Sequence, residues 1–260
     1  MKITLFTSNQ PRHINLANTL SKICDELFCI KECNTVFPGQ IDDFFKKSDA
    51  MQQYFSHVIN AEKNIFDEIS FSSENVRTLS IKSGDINRLS KQQLSSALES
   101  DVYVVFGASY IKGWLIDFLL SRNAINIHMG VSPYYRGSSC NFWALYDNNP
   151  SYVGATLHKL SKGLDSGDML LHCIPTLEDD DTLFDFTMRS VDIAHKALVS
   201  KISSGEIFKM PSVQQDKSLE IRYTRNSDFN DKVANEFLKR TQSIKGIDLK
   251  YPKLIQPFFG

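Results

Sequence analysis

No stretch of the chain approaches the roughly 20 consecutive apolar residues needed to span a bilayer, and the opening MKITLFTSNQPRH turns polar too soon for a secretion signal. The expectation is a cytoplasmic protein with no membrane partner. Net charge is nearly absent too. Lys and Arg number 29 against 30 Asp and Glu, leaving −1, so no global field is available to hold a polyanion, and nucleic acid is not expected as a partner. The glycine signatures of common nucleotide sites are also missing, with no GxGxxG after the first strand and no GxxxxGK[ST] anywhere. That removes the usual warrant for a dinucleotide or nucleoside triphosphate site, and with it the main support for an oxidoreductase. Five cysteines without a secretion signal read as reduced thiols, and the spacing of their one cluster, Cys24, Cys29 and Cys33, fits no metal-ligand pattern. No metal is expected. Repeats and low-complexity tracts are absent as well.

What is present is a chain of 260 residues, 42% hydrophobic, long enough to bury a substantial core. KITLF reads as a strand, SNQ as a turn, and Pro11 as the first residue of a helix running through Ile14, Leu16 and Leu20. A second strand follows at Leu27 to Ile30. From Pro38 to about Ser73 the periodicity is helical, including Phe44, Phe45, Met51, Tyr54, Phe55 and Val58, and this segment reads as a helical insertion at about 38–73. Alternation then resumes: strand Val76 to Ile81, helix Ile86 to Leu98, the buried strand of DVYVVFG at 101–107, helix Lys112 to Leu120, and strand Ala124 to His128. Strands at Tyr152 to Leu160 and Met169 to Pro175 precede a long helix, Thr182 to Ser203, stopped by Gly205. The pattern predicts an α/β fold, a doubly wound and mostly parallel sheet over 1–209, with a short carboxyl-terminal extension at 210–260 holding one helix near 231–240. In such sheets ligands lie beyond the carboxyl ends of strands.

The most informative stretch is NIHMGVSPYYRGSSCNFWAL. Asn126 and His128 lie two apart at a strand end and project to one side. VGATLHKLSKGLDSGDML then places Asp165 in a glycine-flanked turn. An amide, an imidazole and a carboxylate brought together suit acyl transfer without a nucleophilic serine or cysteine: the amide holds a developing oxyanion, the imidazole moves protons, and the carboxylate sets the imidazole's state.

NIHMGVSPYYRG followed about 37 residues on by LDSGD resembles the signature of the folate-dependent formyltransferases, which include glycinamide ribonucleotide transformylase, methionyl-tRNA formyltransferase and the nucleotide-sugar N-formyltransferases. FGASYIKG, NFWAL and GATLH occur in the family's order, so the resemblance spans about Val102 to Leu171. It implies a Rossmann-like formyltransferase fold and 10-formyltetrahydrofolate as co-substrate. Asn126 would bond the formyl oxygen, His128 would assist proton transfer, and Asp165 would orient His128 and help deprotonate the amine. It further implies a pterin cleft lined by Phe106, Gly107, Ala108, Tyr110 and Ile111 and by the turn Lys162, Gly163, Leu164.

For the acceptor, the loop Ser8, Asn9, Gln10, Arg12 and His13 opens a helix, and a helix amino terminus with cations is a ready anion site; Tyr135 and Arg136 are further candidates for substrate contact. The family's glycinamide ribonucleotide enzymes carry glycines in this loop and this chain has none, which counts against a purine-pathway acceptor. The tail after Met210 mixes charges of both signs and lacks the basic barrel of the methionyl-tRNA enzymes. The expectation is therefore a small phosphorylated or nucleotide-linked amine, most like the amino sugars of surface polysaccharides. A non-catalytic folate- or nucleotide-binding module and a formate-releasing hydrolase are the alternatives. The oligomeric state, a homodimer included, is left open.

Overall fold

A computed structural model describes residues 1–34, 48–67, 70–240 and 247–260. It shows the expected α/β architecture. An eight-stranded sheet runs in the order β10-β8-β7-β5-β4-β1-β2-β3, built from β1 (Lys2–Thr7), β2 (Glu26–Cys33), β3 (Val76–Lys82), β4 (Val102–Val105), β5 (Ile125–His128), β7 (Ala155–Lys159), β8 (Met169–Ile174) and β10 (Phe258–Phe259). The short β6 (Tyr135–Gly137) pairs with β9 (Arg222–Thr224) in a separate parallel ribbon. β1, β4 and β8 are continuously buried after their first residues because helices or loops cover both faces of the sheet.

The chain winds outward from β1 in both directions, through β2 and β3 on one side and β4 and β5 on the other, all parallel. The strand order therefore reverses between β1 and β4, and the crevice beyond their carboxyl ends is where such sheets take ligands. β7 breaks the pattern: it runs antiparallel to both β5 and β8, which sets Asn126 opposite His158 and His128 opposite Thr156. Gly107, just past β4, has φ +70°, and a Cβ there would sit 2.2 Å from His13 Nε2. Only glycine lets the end of β4 approach the start of the first helix this closely.

The helices are α1 (Pro11–Ser21), α2 (Asp49–Phe66), α3 (Gly113–Ser121), α4 (Cys140–Tyr146), α5 (Leu183–Ser203) and α6 (Asp231–Leu238). The expected long helix, α5, starts at a capping box between Thr182 and Asp185 and is followed by Gly205 at φ +71°. α2 is the described part of the helical insertion and packs against α1, α5 and α6; Phe44 and Phe45 lie outside the described residues.

Two expectations change. Ile86 to Leu98 is not an α-helix but two 3₁₀ turns, Asp85–Arg88 and Ser95–Glu99. Ser90 and Gln93 exchange side-chain-to-backbone hydrogen bonds (2.8 and 3.2 Å) that compete with helical pairing at this point. The tail also holds more than a helix. Phe258–Phe259 returns to pair with β8, and Arg222–Thr224 pairs with β6.

Candidate active site

Asn126, His128 and Asp165, far apart in sequence, meet at the carboxyl end of β5. Asn126 Nδ2 donates to Asp165 Oδ1 at 3.2 Å, and His128 Nδ1 lies 3.3 Å from Asp165 Oδ2. A fourth residue, passed over in the sequence though it lies in the GATLH block, completes the cluster. His158 Nε2 is 3.0 Å from Asn126 Nδ2 and 3.7 Å from Asp165 Oδ1. Its Nδ1 sits 2.8 Å from the Lys159 carbonyl, so Nδ1 carries the proton and Nε2 accepts from Asn126. The amide nitrogen is thus fixed toward the carboxylate, with both its hydrogens directed. The signal that could have found His158 is the antiparallel register of β7 on β5.

The Asp165 turn is held from several sides. Asp165 has φ +46°, a left-handed conformation that costs an ordinary residue energy and persists only where neighbours enforce it. A Cβ on Gly167 would lie 1.7 Å from the Lys159 carbonyl oxygen, so the turn can press against β7 only with glycine there. From the tail, Gln215 Nε2 donates to the carbonyls of Asp165 (2.8 Å) and Gly167 (2.9 Å).

Charge in the cluster is separated. Burial opposes protonation of His128, but the Asp165 carboxylate, with Cys140 beside it, outweighs this and raises the imidazole well above its ordinary value. Burial likewise opposes ionisation of Asp165, and the charge and hydrogen bond of His128 hold it well below the usual carboxylate range. Both directions favour an ionised His128–Asp165 pair. His128 Nε2 faces the Tyr135 carbonyl at 3.4 Å and Cys140 Sγ at 3.5 Å.

Two cavities flank this pair. The smaller, about 100 Å³, is lined by Ala108, Tyr110, Ile111, Gly163 and Leu164 together with Asn126, His158 and Asp165. Its outer loop is clamped by the buried Glu32, which accepts from the backbone N–H of Ser109 (2.6 Å) and of Gly84 (2.8 Å). Lys162 takes part through its backbone, whose carbonyl accepts from the Tyr110 hydroxyl, while its ammonium pairs with Asp117 at 2.7 Å. The larger cavity, about 410 Å³, is lined by His128, Cys140, Arg12, His13 and a group of aromatic rings. Phe106 and Gly107, expected on the pterin side, line this larger cavity instead.

The remaining expected residues lie outside both cavities. Ser8 and Asn9 tie the end of β1 to the end of β2, through Ser8 Oγ to the Glu32 carbonyl (3.0 Å) and Asn9 Nδ2 to the Asn34 carbonyl (3.0 Å); Gln10 is the N-cap position of α1 and its side chain bonds Asn9. The Tyr135 hydroxyl is engaged by Asp147 and Asn149, and Arg136 pairs with Glu220 at 2.9 Å.

Residues 61–202 match the family model described as formyl transferase. Methionyl-tRNA formyltransferase of Koribacter versatilis is 30% identical over 132 residues, covering 50% of this chain and 42% of that protein; the chain thus spans about two fifths of the length of this curated relative. Among solved structures, the formyltransferase PseJ of Anoxybacillus kamchatkensis, in complex with UDP-4,6-dideoxy-4-formamido-L-AltNAc and tetrahydrofolate, superposes with TM-score 0.51 at 18% identity, covering 93% of this chain and 94% of that one. Phosphoribosylglycinamide formyltransferase of Anaplasma phagocytophilum does so with TM-score 0.50 at 16% identity, covering 86% and 98%.

Proposed function

The chain belongs to the formyl transferase family, and from that premise we propose that it transfers a formyl group from 10-formyltetrahydrofolate to a primary amine. The observation that carries this is the Asn126–His128–Asp165 cluster standing between two cavities, one for each substrate. The flat pterin, rich in hydrogen-bonding groups, lies along the smaller cleft beside Ala108 to Ile111 and Gly163 to Asp165, an open groove that takes one edge of it, and the amine approaches from the His128 side. The amine's lone pair attacks the formyl carbon, and the carbonyl electrons move to oxygen. That oxyanion is met by the His128 imidazolium and by an Asn126 N–H that turns from Asp165 to the substrate, donors of a kind worth roughly 3–4 kcal/mol each. Asp165 accepts the proton of the new ammonium. Cleavage of the bond to N10 then releases tetrahydrofolate as N10 regains a proton.

For the acceptor, a nucleotide-linked amino sugar is the reading suggested by the ligand of the PseJ complex, and the relative acting on methionyl-tRNA suggests another kind of amine. In either case the test is the same. Purified protein with 10-formyltetrahydrofolate should form tetrahydrofolate only when an amine is added. Formate release without any amine would make the protein a hydrolase, and folate binding without turnover would make it a binding module.

A further inference from the structure

The start of α1 lies beside the crevice and is an anion-ready helix end, and here that end is filled by the protein itself. Pro11 has no N–H. The Arg12 N–H donates to Glu62 Oε1 at 3.0 Å, and those of His13 and Ile14 both donate to the Gln10 carbonyl, at 2.9 and 3.1 Å. The Arg12 guanidinium is committed to the same Glu62 oxygen at 2.9 Å, and the Glu62 side chain is only 5% exposed. A bound anion is therefore already present at the helix start, and it is a carboxylate from α2. Among the described residues, the other ionisable groups on the large cavity's wall offer no substitute. Burial, with Arg12 alongside, holds His13 well below its ordinary value and so neutral, and His128 is paired with Asp165. Among the described residues, none on this wall is left to compensate the charge of a phosphate brought into the space.

The rest of the cavity's lining is mostly apolar, with Ser139, Asn141 and Thr187 as polar exceptions. Tyr54 and Phe55 of α2, Phe142 of α4, Phe184 of α5, Phe229 and Phe237 enclose it, set edge to face or tilted with centroids 4.8–5.6 Å apart for Tyr54–Phe184, Tyr54–Phe142, Phe142–Phe229 and Phe142–Phe237. An apolar cavity of about 150 Å³ holds one benzene ring, so about 410 Å³ accommodates a body of roughly two such rings. Resting on the formyl-transfer reading, we propose that the acceptor is a primary amine carried on an uncharged, apolar body of up to this size, seated among these rings with its nitrogen toward His128, and that no acceptor phosphate binds at the start of α1.

The test uses the full chain and two acceptor sets: phenethylamine and L-phenylalanine methyl ester in one, UDP- and dTDP-linked 4-amino sugars and glycinamide ribonucleotide in the other. Tetrahydrofolate formation should give kcat/KM at least ten-fold higher for the apolar set. Val58→Asp, which puts a carboxylate on the partly exposed α2 wall of the cavity, should lower that kcat/KM ten-fold or more while leaving 10-formyltetrahydrofolate affinity within about two-fold. Preference for the phosphorylated set overturns the inference and leaves formyl transfer standing. So does an unchanged kcat/KM in Val58→Asp. Turnover with neither set, while the folate still binds, overturns it too, whereas failure to bind 10-formyltetrahydrofolate at all overturns the underlying reading.

Discussion

The small cleft and the large cavity share the end of β5 as a common wall, and their construction differs in almost every other respect. The cleft is formed by two short loops, 108–111 and 161–165, set at strand ends with Asn126 and His158 behind them, and its outer loop is clamped by the buried Glu32. The cavity is assembled from side chains of α1, α2, α4 and α5 and of the segment around α6. Two short loops at strand ends are fixed in place by the fold, whereas a cavity walled by helix side chains is rewritten by each exchange. The fold thus pairs a fixed donor site with an adjustable acceptor site, and the His128–Asp165 pair serves both.

The largest effects should fall on that pair. His128→Ala and Asp165→Asn are each expected to lower kcat by about 100-fold or more with the fold retained. The pair also has a pH signature. His128 is raised above 6.5, so its contribution to stability is complete below about pH 6.5 and is lost as pH rises through the folded value. Asp165 is lowered below 3.8, so its contribution is complete above about pH 3.8 and is lost as pH falls through its folded value. Both hold in full between about pH 4 and 6.5, and thermal melts should show a stability maximum there that Asp165→Asn removes. In the same variant, with the carboxylate gone, the His128 imidazole should fall back from its raised value in an NMR titration. An unshifted imidazole would mean that Asp165 is not what charges it.

A smaller effect is expected at His158, which touches only the cleft side. His158→Phe deprives one Asn126 hydrogen of its acceptor and should reduce kcat about ten-fold, with the KM for the folate little changed; His158→Gln, which keeps an acceptor, should recover part of the loss. Equal changes in kcat and KM would make His158 a wall of the cleft rather than the residue that aims Asn126. Smaller still is Gln215→Ala. It removes two donors to the Asp165 turn, each worth about 0.5–1.5 kcal/mol, and should cost about five-fold in kcat with a lowered Tm. A change in acceptor KM alone would separate Gln215 from the turn.

The two sides also differ in how far they could be read from the sequence. Asn126, His128 and Asp165 lie in short motifs at strand ends, where side-chain direction follows from the strand's alternation, and the structure brings all three together. His158 was hidden because alternating strands and helices predict parallel neighbours, while its placement depends on β7 running antiparallel. The aromatic enclosure was hidden for a different reason: Tyr54, Phe142, Phe184 and Phe237 each fit the periodicity of an ordinary core helix, and only packing between helices decides which apolar faces leave a space. β10 is two residues long, too short for any pattern to announce. The loop Ser8 to His13 was legible as a helix start, but the anion that satisfies it comes from Glu62, some fifty residues away.

That loop supplies the smallest expected catalytic effect and the sharpest contrast between the two sides. If Arg12 held an acceptor phosphate, Arg12→Ala would remove a charge-assisted contact of roughly 1.5–3 kcal/mol, and the acceptor KM would rise about ten-fold or more. In the structure its guanidinium and its N–H both serve Glu62. Truncation leaves the N–H bond in place but strips the buried carboxylate of its cation, and the cost should appear in folding, at about 1–3 kcal/mol. For a chain of this length that corresponds to a drop of several degrees in Tm, at about 2–4 °C per kcal/mol. The acceptor KM should move less than three-fold, and folate affinity not at all, because the cleft is walled by other residues. Glu62→Gln, which keeps the shape and an acceptor oxygen but removes the charge, should also lower Tm without weakening the acceptor. If Arg12→Ala instead raises the acceptor KM ten-fold at an unchanged Tm, the guanidinium leaves Glu62 for the substrate during turnover, and the cavity takes a charged acceptor after all.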